Sequence, residues 1–233
     1  MKKKIFISAG TQRSGSTFLS KIFNSLDCCN PPIIKEMHIW NAVENKLFDD
    51  RLFNDLNINT YNGVSIDSIK LFKQGKYKRY LEQYKYIRKI IYKLQKNLEE
   101  YFNYFEYLLS KNGKSITYDL TPQYICLEKE TIKRIYNEFK KKNIECKFIL
   151  SIRDPVERNW SAVKKAFKKR NNIQLAKAYQ KDSLTDGVDT KLSLEDSFFK
   201  YSRSEYAKIL SNYQFIYNNL NSCLEKNSFL ILI

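Results

Sequence analysis

The chain has little of the chemistry that builds metal clusters or disulfide frameworks. Its 233 residues include a single histidine, His38, and five cysteines, an odd number without regular spacing. A disulfide framework needs cysteines that can all pair, and a structural zinc site needs closely spaced histidine or cysteine ligands. We therefore expect no bound metal, and we expect reduced cysteines of the kind found in cytosolic proteins.

The chain also lacks a long apolar run. No stretch approaches the roughly 20 apolar residues that a membrane span needs. Lys2–Ala9 has lysines before three apolar residues, but this run is too short for a secretion signal, and a glycine-containing loop follows at once. We interpret it as the first β-strand, and we expect a cytoplasmic protein without a membrane span.

Acidic residues are scarce relative to basic ones. There are 41 Lys and Arg against 25 Asp and Glu, which gives a net charge of +16. One interpretation is attraction for an anionic partner such as a nucleotide, an acidic glycan or a nucleic acid. The other is a general lysine-rich composition, because the lysines are spread along the chain. No segment resembles a recognition helix or an RNA-binding motif, so we expect no nucleic-acid partner.

The most informative segment follows the first predicted strand, and it lacks a lysine. Gly10 and Gly15 have the spacing of the two glycines in a Walker A loop, which cradles phosphate with backbone N–H groups at a helix N-terminus. Ser16 stands where that motif has lysine, and Arg13 is the only cation in the loop. The segment therefore predicts a phosphate-binding loop, but not that of a nucleotide triphosphatase.

A second strand-to-helix junction lies at Lys147–Lys165. A buried-type strand ends at Arg153, and the Asp-Pro pair that follows suits the start of a helix. Ligands of open α/β sheets bind outside the carboxyl ends of strands, which places Arg153 at a ligand-binding edge. Ser161 follows about two turns into the helix, with Arg158 one turn before it on nearly the same face.

Four segments together resemble the sulfotransferases that use 3′-phosphoadenylyl sulfate (PAPS). Loop residues 11–17 look like the 5′-phosphosulfate loop of that family, and R-D-P-x-x-R-x-x-S at 153–161 looks like its 3′-phosphate motif. KEMHIW at 35–40 resembles the K-E-x-H-F-F stretch of the carbohydrate, heparan-type branch, and YDLTPQY at 118–124 resembles its E-K-[ST]-P-x-Y stretch. The four segments occur in family order.

The resemblance implies a reaction and a set of site residues. The reaction is transfer of a sulfuryl group from PAPS to a hydroxyl acceptor, expected to be a glycan, with PAP as the nucleotide product. By resemblance Arg13 clamps the leaving group, Arg153 and Ser161 hold the 3′-phosphate, and no metal takes part. Glu36 is the implied base for the acceptor hydroxyl, with His38 as the alternative. The 5′-phosphate is assigned to the loop residues Ser14, Gly15, Ser16 and Thr17.

The chain departs from the family pattern in three places. The family often has lysine at the position of Arg13, and Leu120 stands where the E-K-[ST]-P stretch has lysine. Family members usually continue past the position of Ile233, so we expect the domain to be incomplete at its C-terminal end. The alternative functions are a non-catalytic or truncated PAP-binding relative and a P-loop kinase, which Ser16 disfavours.

The predicted strands alternate with helices, which indicates an α/β fold. We expect one sulfotransferase domain over residues 1–233, P-loop-like and three-layered, with a mainly parallel sheet flanked by helices and a helical insertion at about 66–113. Apolar residues recur at steps of four and three along 77–111, which predicts a long helix. This helix either forms a homodimer or packs beside the sheet as one or two helices. The other predicted elements are strands at 4–9, 115–119, 146–152 and 228–233 and helices at 17–26, 40–56, 66–75, 127–142, 155–170 and, with a break, 194–221.

Overall fold

The computed structural model describes residues 2–43, 60–61, 64–65, 75–111, 113–171, 191–225 and 227–233. Most of the predicted helices at 40–56 and 66–75 lies outside these described residues. The described residues form an α/β fold with a parallel sheet of four strands and eight helices, one of them a 3-10 helix. The strands are β1 (Lys4–Ser8), β2 (Thr60–Tyr61), β3 (Val64–Ser65), β4 (Ile116–Asp119), β5 (Glu145–Ser151) and β6 (Phe229–Leu232). The helices are α1 (Ser16–Asn24), α2 (Ile39–Val43), α3 (Lys76–Lys96), α4 (Leu98–Ser110), the 3-10 helix Pro122–Cys126, α5 (Lys129–Lys141), α6 (Pro155–Asn171) and α7 (Leu194–Cys223).

The main sheet has the strand order β4-β1-β5-β6, and every neighbouring pair is parallel. Ile5 of β1 aligns with Thr117 of β4 on one side and with Cys146 of β5 on the other. Because parallel strands need crossover connections, helices join successive strands of this sheet. The carboxyl ends of β1, β4 and β5 therefore open at one edge. The short strands β2 and β3 form a separate antiparallel pair.

Helices cover both faces of the sheet, because successive residues of β1 point to opposite sides. Ile5 and Ile7 are fully buried on the face covered by α4, α5 and α7, where the larger apolar core lies. Phe6 lies on the other face, in a smaller cluster with Phe23 of α1. The arrangement is consistent with three layers, and it confirms the predicted α/β class and parallel sheet.

The single long helix predicted over 77–111 is wrong. Asn97 adopts an extended conformation and separates α3 from α4, and its side-chain oxygen accepts a hydrogen bond from Glu99 N (3.0 Å). Asparagine is a preferred N-cap, so the chain starts a new helix here although the apolar period continues. Residues of the stripe such as Ile91 and Phe105 lie in the core, which agrees with two helices packed beside the sheet. Dimerisation through 77–111 stays a prediction.

The predicted break within 194–221 is also wrong, because α7 runs unbroken from Leu194 to Cys223. Its buried side chains Ile209, Tyr213 and Ile216 recur at helical spacing on one face. The helix contacts α5, α6 and the 3-10 helix, which supports it over its full length. None of the helices that the structure describes is both long enough and apolar enough to cross a membrane.

Candidate functional site

The loop after β1 lies against the end of β5. Ala9 N donates a hydrogen bond to the carbonyl of Ile149 (2.8 Å). A Cβ atom on Gly10 would lie 2.6 Å from Ser151 N and 2.8 Å from the Ser151 carbonyl oxygen, closer than side-chain atoms approach backbone. Gly10 is therefore required by this contact, and it ties the loop to the edge where β5 ends.

The other end of the loop exposes the N-terminus of α1. Gly15, with φ +92°, precedes the first helical residue, and Arg13 also has a left-handed backbone, with φ +69°. Gly15, the N-cap residue of α1, provides no side-chain cap, and the first turn of the helix has no acidic residue. The first N–H groups of a helix lack intrahelical partners and carry partial positive charge. This end of α1 therefore favours an anion, which is the chemistry predicted for residues 14–17.

A cation from outside the loop reaches the start of α1. Lys35 Nζ lies 3.0 Å from Thr17 Oγ1 and 3.3 Å from Ser16 Oγ. The carbonyl of Lys35 accepts a hydrogen bond from Leu120 N (3.0 Å), which holds this segment beside the end of β4. No local spacing connects residue 35 with residues 16 and 17, so the sequence alone assigns Lys35 no role. The one feature of the sequence that draws attention to Lys35 is its place in the KEMHIW segment.

Arg13, Arg153 and Ser161 meet where β1 and β5 end. Arg13 Nε and Nη2 donate to Ser161 Oγ (3.0 and 2.6 Å), and Nη2 also donates to the Ser161 carbonyl (3.2 Å). Arg153 Nη1 donates to the Arg13 carbonyl (3.2 Å), and its Nε and Nη2 contact Glu157 Oε2 (3.3 and 3.2 Å). The structure thus brings together three predicted nucleotide-binding residues and directs the Arg13 guanidinium to α6.

Tyr213 of α7 connects the loop to the end of β5. Its hydroxyl lies 3.1 Å from Thr11 Oγ1 and 3.3 Å from Ser14 Oγ, and it accepts a hydrogen bond from Arg153 N (3.3 Å). The Thr11 and Ser14 hydroxyls are themselves 2.7 Å apart. Tyr213 is missing from the predicted site, because in the sequence it is one of 17 tyrosines and lies far from every motif. Tyr213 lies on the buried face of α7, and its contact with the loop becomes visible only in the folded structure.

Glu36, the predicted base, lies between two basic side chains. Lys35 Nζ is 2.6 Å from Glu36 Oε1, and His38 Nε2 is 3.6 Å from Oε2. Burial raises the pKa of Glu36, but hydrogen bonds from His38 and Lys35 and the charge of Lys35 outweigh burial and leave the pKa below its usual value. Glu36 is therefore ionised at neutral pH and able to accept a proton, although the lowered pKa weakens it as a base.

A buried polar cluster at the end of β4 supports segment 35–39. We call Asp119, Tyr101, Thr121 and Tyr124 the Asp119 cluster. Asp119 Oδ2 accepts hydrogen bonds from Tyr101 OH (3.0 Å) and Tyr124 OH (2.8 Å), and Oδ1 accepts one from Thr121 Oγ1 (2.6 Å). All four side chains are almost completely buried. Burial raises the pKa of Asp119, although these three hydrogen bonds lower it in part.

The Asp119 cluster also binds three successive backbone N–H groups of the segment. The bonds run from Met37 N to Asp119 Oδ1 (3.5 Å), from His38 N to Thr121 Oγ1 (3.2 Å) and from Ile39 N to Tyr124 OH (3.2 Å). They hold the backbone of the residue after Glu36 and of the two that follow, and His38 takes a left-handed conformation with φ +54°. The cluster therefore positions the predicted base and its neighbours.

Arg158 differs from the other residues of the motif at 153–161, because its guanidinium is buried. The residue is 5% exposed, whereas the Arg153 side chain is 40% exposed. Arg158 Nη1 donates to Asn159 Oδ1 (3.1 Å), and its Nε has no hydrogen-bond partner in the part of the chain that the structure describes. We therefore assign Arg153 and not Arg158 to the exposed edge of the site.

Comparisons with protein-family models, with curated proteins and with solved structures found no match. Within the described residues no group of three or more His, Cys, Asp or Glu side chains is arranged to hold a metal ion. The functional argument therefore rests on the geometry of the site and on the resemblance of its segments to a family pattern.

Proposed function

We propose that the chain is a PAPS-dependent sulfotransferase with a P-loop-like nucleotide site, and that its acceptor is a carbohydrate hydroxyl. One observation carries the proposal: two groups of anion-binding donors meet at the same edge of the sheet. The first is the uncapped start of α1 with Lys35, and the second is Arg13, Arg153 and Ser161.

The two donor groups fit a nucleotide that carries two separate anionic groups. The start of α1, with the Ser16 and Thr17 hydroxyls, suits the 5′-phosphosulfate. The forked guanidinium of Arg153 and the Ser161 hydroxyl suit a 3′-phosphate. When bound, PAPS supplies a sulfuryl group on a phosphate leaving group, and the transfer needs alignment and positive charge rather than a covalent protein intermediate.

The position of Lys35 disfavours a nucleotide bound through Mg²⁺. In a Walker A loop the hydroxyl at the position of Thr17 contacts Mg²⁺. Here the ammonium group of Lys35 lies 3.0 Å from Thr17 Oγ1. A cation of this chain therefore already faces the hydroxyl that the metal would need, which supports a metal-independent nucleotide over Mg-ATP.

On the acceptor side, Glu36 is the base that the contacts support best. An acceptor hydroxyl must lose its proton as the new bond to sulfur forms. Glu36 is ionised, and its carboxylate faces Lys35 and His38 next to the start of α1. The glycan acceptor rests on the resemblance of segment 35–40 to the carbohydrate branch, and His38 is the alternative base.

The nucleotide preference tests the proposed function directly. Ligands that bind the native state raise its melting temperature, so PAP should stabilise the protein. AMP and Mg-ATP should stabilise it much less, because neither has a 3′-phosphate. A larger shift with Mg-ATP than with PAP would reject the sulfotransferase assignment.

Sulfate transfer and one charge substitution test the proposal at the level of the site. Radiolabelled sulfate from PAPS should pass to an oligosaccharide acceptor, and Glu36→Gln should lower this rate by about 10²–10⁴-fold with PAP affinity nearly unchanged. Full activity of Glu36→Gln together with loss of activity in His38→Ala would move the base to His38. PAP binding without transfer to any acceptor would favour the non-catalytic relative.

A further inference from the structure

Arg13 and Lys35, two cations at the loop, are directed to different anchors. Arg13 is part of the loop, but its guanidinium donates three hydrogen bonds to Ser161 of α6. Lys35 is outside the loop, yet its ammonium group contacts the hydroxyls of Ser16 and Thr17. The cation at the start of α1 is therefore Lys35, and Arg13 lies with the donors at α6.

Lys35 lies where a positive charge is unfavourable unless an anion joins it. The N-terminus of a helix carries partial positive charge, and cations near it are destabilising. The first turn of α1 has no acidic residue to offset Lys35, and the offset comes from Glu36, at 2.6 Å. The side chain of Lys35 is 25% exposed, so a ligand can reach it. An anion at Ser16 and Thr17 gains from both the helix and Lys35.

Arg13, Arg153 and Ser161 form the second group of anion-binding donors. Arg13 and Arg153 are linked, because Arg153 Nη1 donates to the Arg13 carbonyl. Arg13 has a left-handed backbone and its guanidinium contacts Ser161 of α6, while the Arg153 guanidinium contacts Glu157 in the first turn of the same helix. An anion bound by Ser161 Oγ is therefore within the reach of Arg13.

We infer that Lys35 is the cation that binds the 5′-phosphosulfate, and that Arg13 binds the 3′-phosphate together with Arg153 and Ser161. This inference rests on the proposed function. It gives Lys35 the contact with the 5′ group that the family resemblance assigns to Arg13, and it gives Arg13 a contact with the 3′-phosphate. It makes Lys35 a specificity-determining residue for the 5′ group. It also explains why arginine at position 13 is compatible with the site. The forked guanidinium of Arg13 can donate hydrogen bonds to two oxygens of a phosphate, as it does here to Ser161.

Three adenosine phosphates separate the two roles by calorimetry on the full chain. The probes are PAP, adenosine 5′-monophosphate and adenosine 3′-monophosphate. Lys35→Met should weaken PAP and the 5′-monophosphate by about 10- to 100-fold and leave the 3′-monophosphate unchanged. Arg13→Gln should weaken PAP and the 3′-monophosphate by a similar factor and leave the 5′-monophosphate unchanged.

Matched controls separate local charge from net charge and from folding. Lys21→Met on α1 and Arg203→Gln on α7 remove exposed charges of the same kind and should leave all three affinities unchanged. Lys35→Arg keeps the charge and should restore most of the affinity for the 5′-monophosphate. Each variant should keep the circular dichroism spectrum and cooperative unfolding of the unmodified protein.

Two results would overturn the inference, and they differ from each other. If Arg13→Gln weakens the 5′-monophosphate as much as Lys35→Met does, Arg13 is the clamp on the 5′ side and the exchange of roles is wrong. If the unmodified protein binds none of the three probes, the proposed function fails, and the assignment of both residues fails with it.

Discussion

Two polar regions lie side by side at the same edge of the sheet, and they are built in opposite ways. The Asp119 cluster is sealed: its carboxylate is completely buried and accepts hydrogen bonds from three side-chain hydroxyls of the same chain. The loop site, formed by Arg13, Lys35, Arg153 and Ser161, is partly exposed and brings three cations from separate segments close together.

The contrast separates polar side chains that stabilise the fold from polar side chains that are available to bind a ligand. A buried carboxylate is stable only when its own chain satisfies it, so the Asp119 cluster has no need of a further partner. In the loop site Lys35 and Arg153 pair with Glu36 and Glu157, but these side chains are partly exposed and the N-terminus of α1 lies beside them, which favours an added anion. The sealed cluster positions the backbone, and the loop site faces the ligand.

The largest effect is expected when the carboxylate of the Asp119 cluster is removed. Asp119→Ala leaves the buried hydroxyls of Tyr101 and Tyr124 without their acceptor, and buried donors without acceptors are costly. We expect the free energy of unfolding in urea to fall by at least about 3 kcal/mol. Asp27→Ala, at an exposed position, should change it by less than about 0.5 kcal/mol. Similar small losses for both variants would show that the Asp119 cluster is not structural.

Substitutions of the two loop glycines test how the loop site is attached to the sheet. Gly10→Ala places a methyl group against the backbone of Ser151 and should lower the free energy of unfolding by about 1–3 kcal/mol. PAP affinity should fall as well, because the loop must move. Gly15→Ala meets no neighbouring atom but requires a left-handed alanine, so it should cost only about 1–2 kcal/mol. A larger loss for Gly15→Ala in urea denaturation would contradict this explanation.

Tyr213→Phe tests the connection between α7 and the loop site. The substitution removes only the hydroxyl that contacts Thr11, Ser14 and Arg153 N, and the ring stays packed in the core. We expect a loss of about 0.5–1.5 kcal/mol in the free energy of unfolding and weaker PAP binding by calorimetry. The matched control is Tyr217→Phe on the same helix, at a more exposed position. Unchanged PAP binding in Tyr213→Phe would show that the hydroxyl does not order the loop.

The smallest effect concerns the pH dependence of Glu36. Its pKa in the folded state lies below the ordinary value of 4.5, so Glu36 stabilises the protein above that pH and loses this contribution as the pH falls through the folded value. The unfolding free energies of the unmodified protein and Glu36→Gln should therefore differ most at neutral pH, by under about 1 kcal/mol, and converge on acidification. A difference that grows below pH 4.5 in urea titrations would reverse the sign of the shift.

Local patterns predicted most of the strands and helices that the structure describes. The apolar runs at β1, β4, β5 and β6 appear in the predicted positions. For β1, β4 and β5 the reason is that a short apolar segment between turns has few alternatives to a buried strand. Leu230, Ile231 and Leu232 of β6 are instead exposed, because β6 is the last strand in the sheet order. The regular spacing of apolar residues along 77–111 gave no sign of the break at Asn97. A single N-cap residue can separate two helices without interrupting that spacing. In α7 the opposite occurred, because packing on α5 and α6 overrides local interruptions of the pattern.

The α/β class, the glycine-containing loop after the first strand and the arginine junction after β5 could be predicted, because each depends on residues close together in the chain. The folded structure was needed to show that Lys35 joins Ser16 and Thr17, that Arg13 turns to Ser161, and that Tyr213 holds the loop. These contacts join positions far apart in the chain. They follow from strand order and helix packing, which no local spacing encodes.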